Sequence, residues 1–173
     1  MDNVKPSFDQ VRACLTELDN IEEERIEATD ELDYLDTLLD NTIKVCSMNT
    51  QTFDARSNAA PVFKILFPDG GYSAITHAKP ADELVEAEAL ALRIENLGPG
   101  HQLFPEAGSI RAQVEESKKA IRKINDVATK NQNALNNLEI AKSNFREAYN
   151  KNFLHASMLL GNDKAETLFN NSF

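Results

Sequence analysis

The chain has 173 residues, enough for one core, and at 42% hydrophobic and 27% charged it is not an intrinsically disordered segment. Gly and Pro number six each, too few for a many-turned β architecture, and no apolar run approaches the ~20 residues of a membrane span. A formal net charge of −10 repels phosphates and sets nucleic acid aside as a partner.

Met1-Asp2-Asn3-Val4-Lys5-Pro6 carries neither a basic n-region nor an apolar h-region, so no signal peptide is expected here. Pro6 and Ser7 open a first long helix, with Ser7 as its N-cap. Apolar residues then recur at helical spacing: Phe8, Val11, Leu15, Leu18, Ile21, Ala28, Leu32, Leu35, Leu39, Ile43 and Cys46. Through the charged stretch Glu22–Arg25 this seam depends on Ile21 and Ile26. No Gly or Pro interrupts residues 7–48. Cys14 and Cys46 fall on this one helix ~48 Å apart, beyond disulfide reach. They read as reduced core residues, and the cytoplasm is the expected compartment.

Residues 49–105 read as short helices and loops. Val62–Phe67 supports either a short helix stopped by Pro68-Asp69-Gly70 or a β-hairpin over 62–76, pairing with Tyr72–Thr76. The helical neighbourhood favours the short helix. A further helix begins near Pro80, presents Leu84, Val85, Ala87, Leu90, Ala91, Ile94 and Leu97, and stops at Gly98-Pro99-Gly100. A second long helix spans 106–160, followed by a tail over 161–173. Its seam has one series of Ile110, Ser117, Ile124, Asn131, Leu138, Phe145, Asn152 and Leu159. The companion series is Val114, Ile121, Ala128, Leu135, Lys142, Tyr149 and Ala156. A 3-4 alternation over about seven heptads marks a coiled-coil seam. Ser117 and Asn131 on that seam either tolerate exposure or bond to the backbone, or else fix register as buried polar groups.

The fold class expected is therefore all-α: a single helical domain of two long antiparallel helices, with two shorter helices completing a four-helix bundle at one end. With Cys46 opposite Glu106, equal rise places Phe8 near Asn144 or Phe145. Phe145, Tyr149, Phe153, Met158, Leu159 and Phe169, with Leu154, Leu160, Leu168 and Phe173, then lie at or beyond the end of the first helix. A second chain should bury this segment, or it should fold back on the long helices.

Chemistry is sparse. None of His77, His101 and His155 follows a Glu by three residues, as a di-iron bundle needs, and zinc motifs are absent. Lys118-Lys119-Ala120-Ile121-Arg122-Lys123 reads as a solvated helix face. The acidic series Glu23, Glu24, Glu27, Asp33, Asp36 and Asp40 is the one chemistry-like feature, with Asp33, Asp36 and Asp40 on one helical face. Carboxylates so spaced can hold Mg²⁺ through water. Glu23-Glu24-Arg25-Ile26-Glu27 resembles the Glu-Glu-x-x-Glu half of the motif of all-helical nucleotide pyrophosphohydrolases, but the later Glu-x-x-Asp half is missing. A solvated face is the simpler reading.

The function expected is a non-enzymatic structural or protein–protein interaction protein acting through coiled-coil faces and self-associating, with no cofactor, catalytic residue or membrane partner. One alternative is a helical sensor holding a small ligand among Phe63, Phe67, Tyr72 and Leu90. Another is an Mg-dependent pyrophosphohydrolase-like enzyme using the acidic helix.

Overall fold

The computed structural model describes residues 4–57, 60–78 and 80–170. Among these residues there are six helices and no strand: α1 (Lys5–Arg56), α2 (Phe63–Leu66), α3 (Ser73–Thr76), α4 (Pro80–Glu95), α5 (Phe104–Leu160) and α6 (Asn162–Asn170). The N-terminal triplet and Phe173 lie outside the described residues. No described helix is long and apolar enough to cross a membrane.

Packing divides the chain into two compact units, Glu27–Ile124 and Met1–Ile26 with Asn125–Phe173. Both long helices contribute to each unit. In the Glu27–Ile124 unit, α1 and α5 run antiparallel. Glu31 pairs with Lys123 at 2.7 Å, and Asn49 Nδ2 donates to Glu106 Oε1 at 2.7 Å. Leu39, Ile43 and Cys46 of α1, Leu90 and Ile94 of α4, and Ile110 and Val114 of α5 share one buried core.

Helix α1 runs eight residues past the expected end at 48. The polar stretch stays helical because Thr50 is buried with its hydroxyl donating to the Cys46 carbonyl at 2.8 Å, and Phe53 packs on the core. At the other end Ser7 lies inside the helix, its hydroxyl donating to Val4 O at 2.8 Å, so it is not the N-cap. Asp54 caps the next element instead. Its two carboxylate oxygens accept from Val62 N and Phe63 N at 2.8 and 2.9 Å, satisfying the free donors at the start of α2. The hairpin alternative for 62–76 is set aside, since both would-be strands are single helical turns. Gly70 and Gly71, at φ 108° and 143°, make the reversal between them. The fourth bundle helix expected here is thus one turn long, and α2 and α3 both pack on α4.

In the other unit, the N-terminal part of α1 pairs with the C-terminal half of α5. Phe8 meets Phe145 with ring centroids 6.2 Å apart, as helical rise alone anticipated. Small clusters form the contact: Cys14 with Leu138 and Ala141, and Ile21 with Val127 and Ala134. Two expectations fail along these seams. Leu15 and Ile26 are exposed, and Cys14 is buried where Leu15 was expected. On α5 the companion series steps back by one residue, from Ala128, Leu135 and Lys142 to Val127, Ala134 and Ala141. Two successive three-residue steps, Ile121 to Ile124 to Val127, shift the phase. Two of the α5 side chains brought to the contact, Ala134 and Ala141, are small.

Candidate functional site

The residue that stands out lies on α4. Its core-facing stripe runs Glu83, Ala87, Leu90, Ile94, with a carboxyl where an aliphatic residue belongs. Glu83 is only 4% exposed. It meets Asp36 and Asp40, one turn apart on α1. Burial pushes the Glu83 carboxyl up to about 8, with the charge of Asp36 and hydrogen bonding to Asp40 and Asp36 adding to it. A protonated Glu83 is then the donor that the three carboxyls share. Asp36 is itself raised by burial and by the charges of Asp40 and Asp33. Apart from that shared proton, Glu83 Oε1 and Asp40 Oδ1 have no hydrogen-bond donor from the protein.

Beside this cluster a cavity of about 140 Å³ is lined by Asp33, Asp36, Glu83 and Ser117 and by Leu32, Leu39, Leu84 and Ile121. Ser117, from α5, is 2% exposed, and its hydroxyl also has no partner. It neither tolerates exposure nor bonds to the backbone, whereas Asn131 is exposed on the surface.

The other acidic candidates are scattered. Glu23 and Glu27 are exposed, and Glu24 pairs with Lys130 at 2.6 Å in its own unit. Among the described residues no group of three His, Cys, Asp or Glu is disposed to hold a metal ion. The basic run is engaged in ion pairs: Lys118 with Glu88, Lys119 with Glu116 and Lys123 with Glu31. Phe63, Phe67, Tyr72 and Leu90, the residues anticipated as a ligand pocket, have different surroundings. Phe63 and Phe67 stack at 5.2 Å, Leu90 is core, and Tyr72 sits at the surface under Lys44. His101 accepts from Leu103 N at 3.2 Å and lies 4.7 Å from the Phe53 ring, a loop-bracing role; His77 and His155 are exposed. Cys14 and Cys46 are free, buried thiols. Burial and the charge of Glu106 push Cys46 up to about 12, which leaves it a poor nucleophile.

The C-terminal aromatic residues form the second candidate site. Gly161, at φ 84°, ends α5 and turns the chain into α6. Phe169 then packs edge-on against Tyr149 at 5.1 Å and Phe153 at 5.5 Å, and Tyr149 Oη donates to the Phe169 carbonyl at 3.1 Å. Of the six residues expected at an interface, Phe145, Tyr149, Phe153 and Phe169 thus make contacts within the chain. Met158 and Leu159 remain 83% and 77% exposed. Phe169→Ala removes both edge contacts and should cost about 1–3 kcal/mol. Limited proteolysis should then cut selectively near Gly161, ahead of the rest of the chain.

These features define an all-α protein in which two long helices pack together. Comparison with known protein families, with characterised proteins and with solved structures finds no match to this chain.

Proposed function

We propose that the chain is a non-enzymatic interaction protein that self-associates through its helix faces, the coiled-coil-like C-terminal end of α5 being the contact surface. The observation that carries this reading is the exposure of Leu154, Met158, Leu159 and Leu160 after α6 has folded back. Leu154 and Met158 are one turn apart, and the next two residues extend the apolar surface round the helix end. Isolated exposed leucines are ordinary; a group at one helix end is the mark of a contact surface. A two-fold arrangement covers it with the fewest new contacts. A second exposed set, Tyr34, Leu38, Val45 and Met48, has the 4-7-3 spacing of one helical stripe on α1 and supports the same reading. In this view α2 and α3 close the bundle end as its fourth side. Two buried reduced thiols suit the cytoplasm.

Light scattering of the purified chain should give a mass of two chains or more. A Met158→Glu, Leu159→Glu double variant should shift it to the monomer mass with unchanged helical circular dichroism. A monomer of native sequence at ~100 μM would sink the proposal, because an interface of useful size holds well below that concentration.

A further inference from the structure

We propose that the cavity between α1, α4 and α5 binds a primary alkylammonium group, either a free small amine or a lysine side chain of a partner. This goes beyond the self-association reading and does not depend on it.

The lining of the cavity is divided in the way such a ligand is divided. Asp33, Asp36 and Glu83 supply carboxylates, and Leu32, Leu39, Leu84 and Ile121 supply an aliphatic wall. An ammonium has three donors and no acceptor. Glu83 Oε1 and Ser117 Oγ are buried oxygens with no hydrogen-bond partner, and both residues line the cavity. Ser117 is an independent sign of a missing partner, because it belongs to another helix and is no part of the acidic cluster. Buried polar groups are nearly always satisfied, so two orphans lining one cavity ask for a partner group.

Charge points the same way. The cluster gathers carboxyls of α1 and α4, and Lys118, one residue after Ser117 on α5, is engaged by Glu88 and Glu115. The volume, about 140 Å³, holds roughly four or five waters' worth of ligand, the scale of a short alkyl chain. An ammonium needs only acceptors and a slot for its methylenes. A divalent cation needs a tight shell of oxygens, which the side chains of the described residues do not form.

Binding also requires a proton movement. Below about pH 8 Glu83 carries a proton that the ammonium must replace. The carboxyl O–H bond breaks, its proton passes to the buffer, and an N–H of the ligand takes over as donor to the carboxylate.

Calorimetric titration of the full chain with n-butylammonium at pH 7, in two buffers of different ionisation enthalpy, tests this. Saturable binding at one site per chain is expected, with release of up to one proton per ligand. Affinity should fall at least tenfold in Glu83→Gln, which keeps the fold, and at least threefold for methylammonium, which lacks the alkyl chain. N-acetyl-lysine methylamide is the second arm. Binding at least as tight as butylammonium assigns the site to a partner's lysine; weaker binding assigns it to a free amine. Non-saturable binding, affinity unchanged in Glu83→Gln, or saturation by Mg²⁺ but not by butylammonium would each overturn the proposal.

Discussion

Glu83→Gln should make the protein more stable, not less, and the gain should grow with pH. Glutamine reproduces the protonated carboxyl in size and keeps both a donor and an acceptor facing Asp36 and Asp40. It has no charge to bury. In the wild type, burial and the two aspartates hold the Glu83 carboxyl up at about 8, against an ordinary value of 4.5. Between these pH values the folded chain binds more protons than the unfolded chain, so stability falls as pH rises through that window. The stabilising contribution is fully present below about 4.5 and is lost by the time pH passes about 8.

The variant should therefore match the wild type near pH 4.5 and exceed it at pH 9 by up to about 5 kcal/mol. On a chain of this size that is a Tm gain of up to roughly 10–20 °C. Thermal melts followed by circular dichroism at several pH values would read it. A variant less stable than the wild type at pH 9, or a difference that does not change with pH, would show that Glu83 is not held protonated by its neighbours.

The helices themselves were legible because their signals are local. Gly98, Gly161 and the Pro68-Asp69-Gly70 turn punctuate the chain, and a fixed rise per residue was enough to set Phe8 opposite Phe145. The extension of α1 was hidden because Thr50 is polar in composition but apolar in behaviour, its hydroxyl being bonded to its own helix. The acidic face of Asp33, Asp36 and Asp40 was visible from spacing, but its meaning was not. That meaning comes from Glu83 on another helix, about fifty residues away in sequence, and no periodicity on α1 reports it. The available clue was on α4, where a glutamate occupies the stripe of Ala87, Leu90 and Ile94. The orphan Ser117 was legible as a seam residue; its exclusion from every hydrogen bond follows only from three helices meeting.

The one-residue shift of the α5 seam gives a pair of substitutions that separates heptad pattern from observed packing. If the simple heptad governed, position 142 would be a core site and position 141 a flank. Lys142→Leu would then stabilise the chain, and Ala141→Leu would be harmless. The structure requires the opposite outcome. Ala141 is fully buried in the cluster with Cys14 and Leu138, and a longer side chain there must push the two helices apart or leave its rotamer. Ala141→Leu should cost about 2–3 kcal/mol, lowering Tm by roughly 4–10 °C. Lys142 is half-exposed and bonded to Glu139 at 2.8 Å. Replacing it loses a surface ion pair and should change stability by less than about 0.5 kcal/mol. Hydrogen exchange should place the Ala141→Leu effect in residues 125–160 and the N-terminal part of α1, which pack together in one unit. The physical reason is general: a seam is chosen by how closely two backbones can approach, and alanine at the contact outweighs a leucine one position away whose burial would hold the helices apart.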